Sequence, residues 1–158
     1  MKLKHVVLLV AVLLLDQLTK WGIQSTIDLN ESIEIIPGFF SLTYVHNTGA
    51  AWSMLEGKMI FFYIITIIFL IGMVYFYRTL DKQDWLSRIG VVLMIAGALG
   101  NFVDRLFLQY VRDFLDFIIL GYDFPVFNVA DISLCVGVGC IVLSMLLEYY
   151  GGFKKCAK

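Results

Sequence analysis

Residues 59–77, with the sequence MIFFYIITIIFLIGMVYFY, contain no charged side chain. An uncharged apolar segment of about 20 residues is long enough to cross a lipid bilayer as a helix. The whole chain has a matching composition, since 60% of its residues are hydrophobic and only 16% are charged. Soluble domains are about a quarter charged. We therefore predict an integral membrane protein in which residues 1–158 form a single domain.

Three further apolar segments resemble this one, so the predicted spans are residues 5–22, 59–77, 89–104 and 129–147. The first span follows Lys2 and Lys4, and a basic start before an apolar run is also typical of a secretory signal peptide. No small-x-small cleavage site follows it, and the segment continues instead into DQLTKWG. We therefore expect residues 5–22 to be retained as a membrane span.

Two polar segments, residues 23–58 and 105–128, connect the first span to the second and the third to the fourth. Each contains β-branched and aromatic runs on either side of a turn, which predicts a hairpin in each segment. The predicted strands are residues 32–36, 39–45, 111–119 and 124–127. Lysines and arginines concentrate in the two termini and in the 78–88 loop, a bias that predicts cytoplasmic termini and polar segments on the outer face. Lys58 and Arg112 are exceptions that do not reverse this bias.

This topology collects acidic and amide side chains at the outer ends of three spans, where polar groups are costly and usually face the bundle interior. The residues on the faces that carry these groups are Asp16 and Lys20 on span 1, Gly97, Asn101, Asp104 and Arg105 on or next to span 3, and Asn128, Asp131 and Cys135 on or next to span 4.

Each of these groups also has an ordinary structural interpretation. Asn128 and Asp131 have the spacing of a helix cap. Asp16 and Lys20 neutralise one another at i and i+4, and Asp104 with its neighbouring arginine marks where span 3 meets water. The five glycines at 90, 97, 100, 137 and 139 are expected to allow close helix packing.

The remaining motifs limit the chemistry. The chain has no Gly-rich phosphate loop, no CxxC, no HExxH and no GxSxG, and its three cysteines lack paired or metal-like spacing. No metal and no cofactor are therefore expected. Two carboxyls within hydrogen-bond range do not both ionise easily, so they share a proton and can act as acid and base.

The residues alone do not decide which acids form such a pair. Asp113 and Asp116 point to opposite faces of a strand, so only one of them can face Asp131. Asp116 and Asp123 are favoured as solvated loop residues. Two other functions stay open at this point: a small proton- or ion-coupled transporter, and a non-catalytic membrane subunit whose carboxylates serve assembly. A transporter would be expected to show internal repeats, and none is evident.

Five motifs in order resemble the bacterial signal peptidase II family of membrane aspartic endopeptidases. They are Asp16-Gln17-Leu18-Thr19-Lys20, Asn47-Thr48-Gly49-Ala50-Ala51, Gly100-Asn101-Phe102-Val103-Asp104-Arg105, Val111-Arg112-Asp113-Phe114 and Phe127-Asn128-Val129-Ala130-Asp131. Departures are slight: Trp52 stands where the family often has Phe, and Ala96 where it often has Gly.

The resemblance implies a mainly α fold, a four-transmembrane-helix bundle with a small extracytoplasmic β-cradle built from the two polar segments. It also implies that Asp113 and Asp131 are the catalytic pair. The residues implied to bind substrate or support the pair are Asp16, Lys20, Asn47, Gly49, Asn101, Asp104, Arg105 and Asn128.

The implied substrate is a prolipoprotein whose cysteine carries diacylglycerol, cut just before that cysteine in the bacterial cytoplasmic membrane. Asp16 and Asn47 are expected to contact it near the cut, and residues 39–56 to act as a lid with Gly49 as a flexible point. The expected partners are the lipidated signal peptide and membrane lipid, without nucleic acid. A monomer is expected because one chain holds both aspartates.

Overall fold

The structure of the chain is a computed structural model that describes residues 2–49 and 57–156. Four helices in this part of the chain are long and apolar enough to cross a membrane. They are α1 (Leu3–Thr26), α2 (Met59–Thr79), α3 (Trp85–Leu108) and α4 (Val129–Cys156). The predicted mainly α bundle is confirmed, and each predicted span lies within one of these helices.

Helices α1 and α3 extend beyond their predicted ends, and a polar cap sets the start of α3. Helix α3 starts four residues earlier than expected, where the Asp84 carboxylate accepts a hydrogen bond from the Ser87 amide at 3.0 Å. It ends at Gln109, which adopts the left-handed conformation with φ 68°. The same Asp84 oxygen accepts a bond from the Ser144 hydroxyl at 2.7 Å, which ties the start of α3 to α4.

Helix α3 is the central helix of the bundle and packs against each of the other three. In its apolar 18-residue stretch 67% of the residues are buried inside the protein, against 6–17% in the corresponding stretches of the other three helices. A Cβ added at Gly90 would lie 2.5 Å from the Gly137 carbonyl oxygen, and one at Gly97 would collide with the Ala130 carbonyl. The expected role of glycines in close packing is therefore confirmed at these positions, but it is wrong for Gly139, which faces open space.

The two predicted hairpins join into one antiparallel sheet at the end of the bundle opposite the chain termini. Its strands are β1 (Ser32–Ile36), β2 (Phe40–Asn47), β3 (Val111–Ile119) and β4 (Tyr122–Phe127), in the order β1-β2-β3-β4. The β2–β3 pairing brings the two polar segments together and sets Val45 opposite Asp113. Strand β3 also packs on α1 and α3, so the sheet is fixed to the bundle through the strand that carries Asp113.

Candidate active site

Strand β3 places Asp113 at the junction of sheet and bundle, where its side chain is only 2% exposed. Both carboxylate oxygens accept hydrogen bonds from amide side chains. Asn47 Nδ2 on β2 donates to Oδ2 at 2.8 Å, and Asn128 Nδ2 donates to Oδ1 at 2.5 Å. Asp116 lies three residues along the same strand and instead accepts a bond from the Thr43 hydroxyl at 2.6 Å. The structure therefore directs Asp113, and not Asp116, towards α4.

Asp131 lies in the first turn of α4 and forms a reciprocal cap with Asn128. The backbone N–H of Asn128 donates to Asp131 Oδ2 at 3.0 Å, and the backbone N–H of Asp131 donates to Asn128 Oδ1 at 3.1 Å. The other carboxylate oxygen, Oδ1, accepts a bond from Asn101 Nδ2 at 2.8 Å. The cap proposed as an ordinary interpretation is real, and it also holds Asp131 beside the network that contains Asp113.

Two asparagine side chains connect the two aspartates, and their orientation is fixed by their partners. Lys20 Nζ, which can only donate, bonds to Asn101 Oδ1 at 2.8 Å, so the amide nitrogen of Asn101 must face Asp131. Asn128 uses its oxygen to cap the Asp131 amide, so its nitrogen faces Asp113 and Asn101, the latter at 3.1 Å. This chain of amides links carboxylates from β3 and α4.

Burial and the nearby charge of Asp131 raise the pKa of Asp113 to about 7, although hydrogen bonds from Asn47 and Asn128 oppose the shift. A carboxyl with this pKa is about half protonated at neutral pH, so it can donate a proton. Two carboxyl groups in one cavity, one protonated and one ionised, can act as general acid and general base.

A buried ion cluster lies beside the aspartates. Lys20 Nζ is 2.9 Å from Asp16 Oδ2 and 3.4 Å from Asp104 Oδ2, and these side chains are at most 1% exposed. Asp16 Oδ1 accepts a bond from the Ala130 amide at 2.9 Å, in the first turn of α4. Asp16 therefore connects α1 to α4, and its expected contact with substrate stays a prediction.

Arg112 is the residue of this cluster that the sequence interpretation missed, since it was counted only as an exception to the charge bias. Its Nη2 donates to Asp104 Oδ1 at 2.7 Å, and its backbone amide and Nε donate to Oδ2 at 3.0 and 3.2 Å. Nη1 and Nη2 also reach Gln24 and Gln17, both at 3.0 Å. Alternation along the strand was the available signal. Arg112 is the neighbour of Asp113, so its side chain lies on the opposite face of β3. An arginine buried there against helices needs an acidic partner.

Arg105 connects the bundle to the segment that follows β2. Its Nη2 donates to the Gly49 carbonyl at 3.0 Å, and its guanidinium lies 4.6 Å from the centre of the Phe62 ring. The Gly49 amide donates to Asn47 Oδ1 at 2.9 Å, so Gly49 is held at both its amide and its carbonyl. The remainder of the predicted motif and lid, including Ala50, Ala51 and Trp52, lies outside the described residues.

A cavity of about 720 Å³ opens in front of the two aspartates. Its polar end is formed by Asp113 and Asp131 with Asn47, Asn101 and Arg105, whereas the remainder is lined by apolar residues of α2, β4 and α4. Helices α2 and α4 each pack on α3 but hardly touch each other, so the cavity occupies the gap between them. The volume lies in the range of ligand sites, about 300–1,000 Å³.

Other predicted polar and aromatic residues lie outside this site. Asp123 is exposed on β4. Tyr44 is 4% exposed, and its hydroxyl lies 2.9 Å from His46 Nε2. His46 in turn stacks on Tyr110 at 3.6 Å between ring centres. This aromatic cluster supports the sheet beside Arg112 and does not line the cavity.

The chain is similar to known proteins over most of its length. A family model described as signal peptidase (SPase) II matches residues 8–147. A lipoprotein signal peptidase of Staphylococcus haemolyticus is 49% identical over 139 residues, 88% of each chain. One of Bacillus pumilus is 47% identical over 134 residues, 85% of this chain and 86% of the other. A solved bacterial membrane enzyme, 44% identical, superposes with a TM-score of 0.87 over 92% of this chain and 89% of its own.

Proposed function

Because this chain belongs to the signal peptidase II family, we propose that it is an aspartic peptidase whose reacting pair is Asp113 and Asp131. Its activity is the removal of signal peptides from prolipoproteins. The observation that supports the proposed pair is the shared amide network. Carboxyls from two distant parts of the chain meet through Asn101 and Asn128 at the polar end of an apolar cavity. The matches give no support to the transporter interpretation.

In the proposed reaction, a water molecule lies between the two carboxyls. Asp131 takes a proton from this water as it attacks the scissile carbonyl carbon, and Asp113 donates its proton to the carbonyl oxygen. The resulting tetrahedral intermediate collapses when Asp131 gives its proton to the leaving amine nitrogen, the C–N bond breaks, and Asp113 takes back the proton from the hydroxyl oxygen. Asp131 suits the role of base because it lies in the first turn of α4, where the helix dipole favours negative charge. Asp113 suits the role of acid because its pKa of about 7 leaves about half of it protonated at neutral pH.

The supporting residues keep this pair in place and still allow it to bind water. Each oxygen of the two carboxyls accepts one hydrogen bond from the protein, and a carboxylate oxygen has room for a second. The Lys20 ammonium bonds to Asn101 and to neither Asp113 nor Asp131. It therefore fixes the orientation of the amides without neutralising the proposed pair directly. Its charge is balanced locally by Asp16 and Asp104.

The cavity supports a substrate that is both a peptide and a lipid. The gap between α2 and α4 offers a route from the membrane to the aspartates for a helical signal peptide. Its walls include Ile65, Phe69, Ile132 and Val136, which provide an apolar environment for acyl chains next to the scissile bond. We propose cleavage just before a diacylglyceryl-modified cysteine, with the modified residue held at the sheet end of this cavity.

The proposed orientation puts the chain termini in the cytoplasm and the aspartates near the outer face of a bacterial cytoplasmic membrane. Lys2, Lys4, Arg78, Lys82 and Arg88 lie at the end of the bundle that holds the N-terminus and the α2–α3 loop, as expected for a cytoplasmic end. The proposed enzyme acts as a monomer, since a single chain supplies both aspartates and the groups described around them.

The proposal is tested with purified protein in detergent and a lipidated prolipoprotein, with the shortened product as readout. Asp113→Asn and Asp131→Asn are each expected to abolish product formation. Asp116→Asn is the matched control, because it makes the same chemical change on the same strand outside the cavity, and it is expected to keep near-normal activity. Near-normal cleavage by either of the first two variants would show that the reacting pair is misassigned.

A further inference from the structure

A second cavity, of about 300 Å³, lies at the end of the bundle opposite the aspartates. It is lined by Val74, Tyr77 and Arg78 of α2 and by Arg88 and Ile95 of α3. Nothing in the peptidase reaction requires a cavity here. Two arginines and two aliphatic side chains around one space indicate a ligand that is anionic at one end and apolar at the other.

Arg88 is buried to an unusual degree for a charged residue near a membrane surface, since it is 8% exposed. Its Nε donates to the Asp81 carbonyl at 2.7 Å and its Nη2 to the Leu80 carbonyl at 2.5 Å, so it caps the end of α2. Its guanidinium also lies 4.8 Å from the centre of the Tyr77 ring. Among the described residues Nη1 has no hydrogen-bond partner, which leaves two N–H donors for another group.

This guanidinium also forms no direct ion pair within the described residues. The ion pairs there all lie in the cluster near the aspartates, and neither Arg78 nor Arg88 takes part in one. Asp84 is close enough to interact electrostatically with Arg88, but it forms no direct ion pair with the guanidinium, and its Oδ1 accepts bonds from Ser87 and Ser144. Since buried charges are normally paired, an anion that enters the cavity would supply the missing partner.

Lys2 and Lys4 add to the positive potential at this end of the bundle. The Tyr77 hydroxyl is hydrogen-bonded to His5 of α1. His5 in turn experiences the positive charges of Lys2, Lys4 and Arg88. An arginine that only sets membrane orientation would extend its head group into water. Arg78 is exposed in this way, whereas Arg88 is turned into the protein.

We infer that this cavity binds the phosphate group of an anionic molecule through the guanidinium groups of Arg78 and Arg88. Guanidinium groups bind phosphate through paired, charge-assisted hydrogen bonds. Val74 is 42% exposed on the lipid-facing side of α2, so a phospholipid could place its head group in the cavity and its acyl chains along that helix. A lipid head group and free phosphate share the recognised chemistry, and the experiment separates these sources.

The test uses the full-length protein in dodecylmaltoside micelles with added dioleoylphosphatidylglycerol, and native mass spectrometry to measure bound lipid. Arg78→Gln alters an exposed side chain and is expected to weaken lipid binding about tenfold, the effect of one lost hydrogen bond to a charged group. Arg88→Lys keeps the charge but removes the planar fork, and it is expected to weaken binding as well. Lys82→Gln removes the same charge outside the cavity and is expected to bind like the parent protein.

Two parallel measurements complete the test. Dioleoylphosphatidylcholine, which has no net charge, is expected to bind more weakly than the glycerol lipid, and inorganic phosphate is added as a competitor. If millimolar phosphate competes with the lipid, the anion site is supported and is assigned to free phosphate. If phosphate does not compete and the lipid binds tightly, the site is assigned to a lipid. Equal weakening by Arg78→Gln and Lys82→Gln, or equal binding of the two lipids, would overturn the inference.

Discussion

Replacement of Asp113 by asparagine is expected to stabilise the fold at alkaline pH while it abolishes cleavage. Burial, followed by the charge of Asp131, raises the pKa of this carboxyl from an ordinary value of 3.8 to about 7. Between these two pH values the unfolded chain has released its proton and the folded chain has kept it. The free energy of unfolding therefore falls as pH rises from 3.8 to about 7, and this contribution is constant above pH 7.

The size of the effect follows from the same values. At about 1.4 kcal/mol per pH unit over this interval, ionised Asp113 costs the folded protein about 4 kcal/mol. Asparagine does not ionise and avoids this cost. However, its amide nitrogen must face a donor from Asn47 or Asn128, and a mismatched buried hydrogen bond offsets about 1–3 kcal/mol of the gain. The net stabilisation expected at pH 8 is about 1–3 kcal/mol.

The pH dependence separates this effect from a general change in packing. At pH 5 the folded parent protein already carries a proton on Asp113, so the variant gains about 3 kcal/mol less there than at pH 8. For a chain of this size, about 2–4 °C per kcal/mol converts this to a difference of about 6–12 °C in Tm. The two proteins are compared by thermal unfolding in one detergent from pH 5 to pH 8, with tryptophan fluorescence as readout.

Asp116→Asn is the control, because Asp116 is half-buried on the same strand and bonded only to Thr43. It makes the same chemical change on the same strand, so its Tm shows what the substitution does outside the buried pair. A constant Tm difference between Asp113→Asn and the parent from pH 5 to pH 8 would refute the claim that the pKa of Asp113 is raised to about 7. It would also remove the argument for Asp113 as the acid.

Three further predictions concern the bundle, and thermal unfolding in detergent measures each. Gly97→Ala is expected to cost about 1–3 kcal/mol, because the new Cβ would collide with the Ala130 carbonyl; Gly139→Ala, in open space, should cost nothing, and equal losses would contradict the packing argument. Arg112→Met is expected to cost about 3–5 kcal/mol, since Asp104 loses its bidentate partner, and a loss below about 1 kcal/mol would contradict a role for this ion pair. Asp84→Ala should cost about 1 kcal/mol through loss of the α3 cap, whereas Asp84→Ser should retain most of it.

The secondary structure could be predicted largely from sequence because each element has a local signal. Apolar segments long enough to span a bilayer gave the four helices, and turns such as Pro37-Gly38 gave the two hairpins. Helix ends were less accessible, since the start of α3 depends on Asp84, a single polar residue after a loop. The pairing of β2 with β3 depends on contacts between distant residues, such as Val45 with Asp113, which no local pattern encodes.

The candidate site shows the same division between local and distant information. Spacing alone placed Asp131 and Asn128 on one helix turn, and the cap they form is as the spacing predicts. The choice of Asp113 over Asp116 required the family resemblance, because alternation only says that the two differ. The structure supplies the physical difference: Asp113 is enclosed by two amide donors, whereas Asp116 is bonded to Thr43 at the surface of the sheet.

Only part of the role of Lys20 could be predicted from the sequence. Its full set of contacts explains why a lysine is buried close to Asp113 and Asp131 without neutralising them. Spacing at i and i+4 predicted its pairing with Asp16, which the structure confirms at 2.9 Å. Its bond to Asn101 could not be foreseen, because it joins α1 to α3. That bond forces the Asn101 nitrogen towards Asp131, and an inverted amide would set two acceptors against each other. The lysine thus sets the hydrogen-bond polarity of the site while its own charge is balanced elsewhere, which leaves the proton of the pair to Asp113.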